Sequence, residues 1–274
     1  MKGEKYIDEK YDYIDRNPIN FGAHGLIYRI KDKKVQSEYI LKKLVKRENE
    51  NFGSGIDFLK KVKGTNIVNM IDYYIDENEK NYYIILEKND GSLDRMLCLE
   101  YPNGMSSKLI RKIFSQLNTG LKIMRKQGMN HKGLNPAKIL YSYTNEEKTD
   151  FIIKLGDFGL ATDIISNDYV DGNNYLAPEL KNKKNNNKNF EKCDLYSLGI
   201  ILYKLKTGQY IFDGDDEIEK LINQKNNQIR KDTDDQKLNS LIKKLVVYDP
   251  NNRMEWKDYF EDPFFKEIDN DKSK

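Results

Sequence analysis

Apolar and polar positions change rhythm about a third of the way along the chain. Tyr11 to Asn20, Leu26 to Lys31, Tyr39 to Leu44, Ile67 to Tyr74 and Tyr82 to Glu87 are short runs rich in β-branched and aromatic residues, bounded by Gly, Asn, Asp and Lys. That is the pattern of strands separated by turns. It predicts a five-strand meander with one helical interruption, Phe58 to Lys63. The rhythm then lengthens. From Ser107 to Arg125 the residues Leu109, Ile110, Ile113, Phe114, Leu117, Leu121 and Ile123 recur at helical spacing, the stripe of a helix packed on a core. Two more strands, Lys138 to Tyr143 and Phe151 to Leu155, flank the polar turn T-N-E-E-K-T-D, and helical patterns follow at Asp194 to Lys206, Glu217 to Lys225 and Leu238 to Val247. A strand-rich front and a helix-rich back predict an α+β chain of two lobes.

Composition narrows the function classes. With 274 residues and 38% hydrophobic content, the chain can bury one substantial core or two lobes sharing a hinge. Its formal charge is +3 although 33% of residues are charged, so the balance implies a mixed, solvated surface and calls for neither nucleic acid nor an anionic membrane as partner. Lys181 to Asn189, K-N-K-K-N-N-N-K-N, reads as a basic surface loop. It lacks the interleaved aromatics on which bases would stack. Cys98 and Cys193 lie in apolar, helix-like stretches and are expected to be buried, reduced thiols. No signal-peptide core or membrane-length apolar run occurs, which gives the expectation of a cytoplasmic protein.

Eight short motifs then follow one another along nearly the whole chain. They are I-N-F-G-A-H-G-L-I-Y from Ile19, Y-I-L-K ending at Lys42, H-K-G-L-N-P-A-K-I-L from His131 to Leu140, D-F-G from Asp157, Y-L-A-P-E at Tyr175 to Glu179, D-L-Y-S-L-G-I-I-L-Y from Asp194, Y-D-P-N-N-R ending at Arg253, and E-D-P-F-F. In this order they resemble the protein-kinase superfamily, leaning to its serine/threonine enzymes. The resemblance implies a single bilobal domain over 1–274: a small five-stranded antiparallel β lobe with one helix at 1–87, a hinge at 88–92, a larger mainly α-helical lobe at 93–268 and a polar tail at 269–274. It further implies an Arg253–Glu179 pair, and an apolar stack of Leu59, Met70, His131 and Phe158 standing on Asp194.

For the site, the resemblance implies that a nucleotide would meet Gly22 and Gly25 of the phosphate loop, Ile27, Ile40 and Leu140 around the base, the gatekeeper Leu86, Glu87 at the hinge, Lys42 on the phosphates, and Asp157 on a metal. The departures from the family pattern are chemical. Gly133 replaces the aspartate that accepts the substrate proton, a group worth about two to four decades in rate. Asn135 replaces a lysine, and its usual partner position is Gly172. Lys138 replaces the metal-binding asparagine, and is expected to pair with Asp157 and repel magnesium. Gly55 falls where the helix glutamate belongs, with Glu48 and Glu50 out of register. Two glycines there, each costing a helix about 1 kcal/mol, predict a frayed or shortened segment. Asn20 replaces the first loop glycine, and Ile40 replaces a small residue over the base, overpacking of about 1–3 kcal/mol. Lys132 lacks the bidentate fork of arginine. Thr162, Ser166 and Tyr169 are candidate phosphorylation sites of the activation segment, and read more readily as ordinary loop residues.

These substitutions resemble those of a pseudokinase. The expectation is a scaffold or allosteric partner of another protein, such as an active kinase, with ATP and magnesium held weakly or not at all. The alternative is a weak or unconventional ATP-dependent serine/threonine protein kinase using Lys42 and Asp157.

Overall fold

Alternation along the first strands sorts side chains onto two faces of one sheet. The computed structural model describes residues 2–22, 25–45, 53–76, 81–157, 174–181, 190–212, 223–226 and 228–266. The small-lobe sheet contains β1 (Tyr11–Tyr13), β2 (Asn20–Gly22), β3 (Gly25–Asp32), β4 (Glu38–Val45), β5 (Met70–Asp76) and β6 (Asn81–Glu87), all antiparallel, in the order β1-β3-β4-β6-β5 with β2 also on β3. The first expected strand, Tyr11 to Asn20, is therefore two pieces. Pro18 lies between them, with no N–H to give a ladder. Along β6, Ile84 and Leu86 join the main core while Tyr83 and Ile85 join a second cluster on the opposite face, as a period of two requires.

That second face is covered by α1 (Lys2–Lys10), a helix the apolar pattern did not predict. Ile7 is fully buried against Tyr11, Ile30, Leu41, Tyr83 and Ile85, and Tyr6 stacks on Tyr74 with centroids 4.7 Å apart. Asp72 on β5 fastens the helix. It accepts from Tyr6 Oη at 2.6 Å and Lys10 Nζ at 2.9 Å, while Asp76 accepts from the Gly3 N–H at 3.1 Å in the first turn.

α2 runs Gly53–Lys61 and so begins earlier than the expected Phe58 to Lys63. Both glycines lie inside its first turn, and the residues before Gly53 lie outside the described ones. Burial of Ile56, Phe58 and Leu59 holds the helix against the propensity cost. The strand expected at Ile67 to Tyr74 starts at Met70 because residues 67–69 are used elsewhere. Val68 N–H donates to Leu155 O at 2.9 Å, Leu155 N–H to Asn66 O at 3.0 Å, and Asn66 Nδ2 to Ile153 O at 2.8 Å. This seam joins the sheet lobe to the helical lobe. It also reaches α4 (Ser107–Lys126), where any side chain at Gly120 would stand 2.5 Å from Asn66 O.

The large lobe follows the predicted periodicity. α4 is capped by Ser106 Oγ, which accepts from Leu109 N–H at 3.2 Å, and it buries Ile110, Ile113, Phe114, Leu117, Leu121 and Met124. β7 (Gly91–Ser92), β8 (Ile139–Tyr143) and β9 (Phe151–Leu155) form a small sheet. Lys138 is not in a strand as expected; it ends the 3-10 turn Pro136–Lys138, and β8 begins at Ile139. α3 (Leu93–Glu100) was not predicted, and Cys98 upon it is exposed rather than buried. Among the described residues the lobe also holds α5 (Pro178–Lys181), α6 (Cys193–Thr207), the helices Gln236–Leu245 and Trp256–Phe260, and the turn Pro263–Lys266. Cys193 is buried, and burial pushes its thiol pKa well up. Most of the helix expected at Glu217 to Lys225 and of the Lys181 to Asn189 loop lies outside the described residues. Among the described residues no helix is long and apolar enough to cross a membrane.

Arg253 and Glu179 pair inside this lobe, as expected from the motifs. Two bonds of 2.7 and 3.1 Å join them, and Arg253 is 2% exposed.

Candidate functional site

The cleft forms where β4 from the sheet faces the β8–β9 hairpin. Lys42 sits on β4 opposite Ile27 on β3 and Ile84 on β6, and its ammonium bonds Oδ1 of Asp157. Asp157 follows β9 with φ +67°, a left-handed conformation that aspartate adopts more readily than most side chains. Its second oxygen, Oδ2, lies 3.7 Å from Lys138 Nζ. The backbone enforces that placement: Ile139 pairs with Leu155, and Gly156 N–H donates to Lys138 O at 3.0 Å. Burial opposes ionisation of Asp157, yet Lys42 and Lys138 outweigh it and hold the carboxyl far below the usual range. Each ammonium attracts the carboxylate by roughly 4 kcal/mol at an effective dielectric of 20, before desolvation is subtracted.

The segment from His131 to Lys138 is held largely through hydrogen bonds of its backbone. Gly133 carries no side chain, and its φ is not positive. Asn135 Oδ1 accepts from Ala137 N–H at 3.0 Å and caps the 3-10 turn. Lys132 donates its N–H to Asp194 at 2.7 Å and sets its ammonium 4.8 Å over the Phe190 ring. His131 also donates its N–H to Asp194, at 2.6 Å, and its Nε2 lies 2.8 Å from Gly156 O. Of the apolar stack, Leu59 and His131 are buried and Met70 packs beside the core. Phe158 lies outside the described residues, as do Glu48, Glu50, Thr162, Ser166, Tyr169 and Gly172.

The base side of the cleft is apolar, and its hinge is internally bonded. Ile40 pairs across strands with Leu86, and Leu140 lies 3.5 Å from where a Gly156 side chain would begin. Every polar group of Glu87 is engaged. Its N–H donates to Asn69 O at 3.0 Å, and its carbonyl accepts from Asn89 Nδ2 at 3.3 Å. Its carboxylate takes Asn69 N–H at 2.8 Å and Lys154 Nζ at 2.7 Å. Lys154 was missed by the sequence reading, which has no signal for a partner 67 positions away. In the phosphate loop, Gly22 pairs with Gly25, whose φ of +151° and closeness to the Lys43 carbonyl exclude a side chain. Asn20 lies in β2 opposite Ile27. The loop tip, residues 23–24, is outside the described residues.

Among the described residues no three His, Cys, Asp or Glu groups converge to hold an ion. An ammonium at residue 138 offers donors and no lone pair.

Comparison with known proteins gives a consistent picture. The chain is 29% identical to the serine/threonine-protein kinase atg1 of Dictyostelium discoideum, over 96% of its own length and 40% of that protein's. It is 27% identical to the DNA damage response protein kinase DUN1 of Saccharomyces cerevisiae (93% and 55%), and 29% identical to calcium-dependent protein kinase 4 of Plasmodium falciparum (89% and 48%). It thus spans about half or less of these relatives. A crystal structure of Rad53 in complex with AMP-PNP shares the fold, with a TM-score of 0.78 at 21% identity over 94% of this chain and 66% of that one. The protein kinase domain model matches residues 13–265, and the chain belongs to that family.

Proposed function

We propose that this chain is a catalytically impaired kinase homologue, a pseudokinase, that works by binding: a scaffold or allosteric partner for another protein, an active kinase being the partner class in view. The observation that carries the reading is the catalytic loop itself. Gly133 offers no group to accept a hydroxyl proton, and Lys138 places an ammonium beside Asp157. Loss of general-base catalysis removes about two to four decades of rate, and misplacing the metal removes charge stabilisation besides. ATP binding is weak in this reading. Glu87 is already bonded within the protein, and the family resemblance puts Ile40, in place of a small residue, over the base.

A second reading has its own support. The kept Lys42–Asp157 pair, together with relatives that are named as protein kinases, favours a weak or unconventional ATP-dependent serine/threonine protein kinase. The comparisons lean to this reading and the loop geometry to the first.

Transfer of γ-phosphate label from ATP to a generic protein substrate separates them. The first reading expects label at background for the wild type, and recovery in Gly133→Asp/Lys138→Asn, which the non-positive φ at residue 133 permits. Wild-type transfer that disappears in Lys42→Met and Asp157→Asn would establish the second.

A further inference from the structure

We propose that the Lys138 ammonium is the built-in counter-ion of the cleft, so that the site takes the phosphates of a nucleoside di- or triphosphate without a divalent cation. The inference rests on the cleft being a nucleotide site, and it deepens that reading by naming the ionic form of the ligand.

Magnesium, which the family implies, does not fit the residues present. It requires oxygen ligands in near-octahedral array. Both oxygens of Asp157 already face ammonium groups, Oδ1 that of Lys42 and Oδ2 that of Lys138. A dication entering between them would have to displace one ammonium and lie close to the other. The Lys138 backbone holds its place, because its N–H donates to Asn135 O at 3.1 Å and its carbonyl accepts from Gly156 N–H at 3.0 Å. Its Cα is thereby fixed beside the Asp157 turn.

The same arrangement suits a bare polyphosphate. Among the described residues, two ammoniums against one carboxylate leave a net positive charge in a cleft where the three side chains are 16%, 20% and 26% exposed. Lysine binds phosphate as a compact point charge with three rotatable donors. An ammonium anchored on Asp157 can turn a free donor toward phosphate oxygens while staying paired, which is the neutralising duty a metal would otherwise perform.

The test measures ATP and ADP affinity of the full chain by titration calorimetry, once in EDTA and once in excess magnesium, for wild type, Lys138→Met and Lys138→Asn, with circular dichroism to confirm that the variants fold. Wild type is expected to bind at least as tightly in EDTA as in magnesium. Lys138→Met loses about tenfold or more in EDTA and gains nothing from magnesium, because one charge-assisted contact is gone. Lys138→Asn becomes magnesium-dependent. Wild-type affinity that rises tenfold or more with magnesium overturns the proposal, and so does absence of binding in both buffers. The latter result leaves catalytic impairment standing. Labelling of a protein substrate by the wild type would instead remove that impairment, whatever the calorimetry gives.

Discussion

Lys154 on β9 and Glu87 at the end of β6 meet at 2.7 Å, so an ion pair ties the hinge to the strand that runs into Asp157. Both side chains are largely withdrawn from water, at 13% and 21% exposure. Lys154→Met would strand a part-buried carboxylate with Asn69 as its remaining support. The expected loss is about 1–3 kcal/mol, each worth roughly 2–4 °C in Tm for a chain of this order of size. Calorimetric melting checks it, and an unchanged Tm would mean that the pair is screened by solvent.

Arg253 and Glu179 form the more deeply buried pair. Removing one partner leaves an uncompensated charge in the large lobe, which typically costs about 3–5 kcal/mol. Arg253→Met and Glu179→Gln should each lower the urea midpoint strongly. An apolar replacement of both residues should recover part of the loss. Equal, additive losses would contradict a direct pairing.

His131 makes stability depend on pH. Burial, reinforced by nearby Lys138, holds the imidazole pKa below its ordinary value, while Asp194, Asp157 and the Gly156 carbonyl pull the other way without prevailing. The unfolded chain takes up a proton near pH 6.5 and the folded chain only at lower pH. This contribution is therefore complete above about pH 6.5 and declines as the pH falls toward the folded value. Asp194, pushed up by burial, acts with opposite sign, so the informative quantity is the difference between wild type and His131→Phe. Urea midpoints from pH 7.5 to 5 should fall more steeply for the wild type. Parallel curves would assign the slope to other groups.

Asp72 fastens α1, through Tyr6 at 2.6 Å, Lys10 at 2.9 Å and Tyr11 at 3.4 Å. Burial works against its ionisation, but the bonds from Tyr6 and Lys10 prevail and keep its carboxyl low. Asp72→Ala should release the helix, so that trypsin cuts first after Lys5 or Lys10 and much faster than in the wild type. Mass spectrometry of early fragments reads this directly, and an unchanged first cut would place the anchorage elsewhere.

What could be read beforehand followed from repetition. α4 carries an apolar stripe several turns long and α6 is apolar nearly all round, so their existence and limits were evident to within a residue or two. α1 offers Tyr6 and Ile7 among charged residues, and its reason to be helical lies on the sheet it covers. α3 is eight residues long, too short for its periodicity to show. At the site, motif order located Lys42, Lys138 and Asp157, since each position is defined by its neighbours. The engagement of Glu87 by Asn69 and Lys154 had no such marker, because those partners, 18 and 67 positions away, meet it only in the folded chain.

Cys98 lies exposed on α3, just beyond the hinge, whereas Cys193 is sealed beneath the large lobe. These are the two cysteines of the sequence. A maleimide dye will therefore attach at one place without prior mutagenesis, and its emission offers an optical view of how the lobes respond when ligands are added.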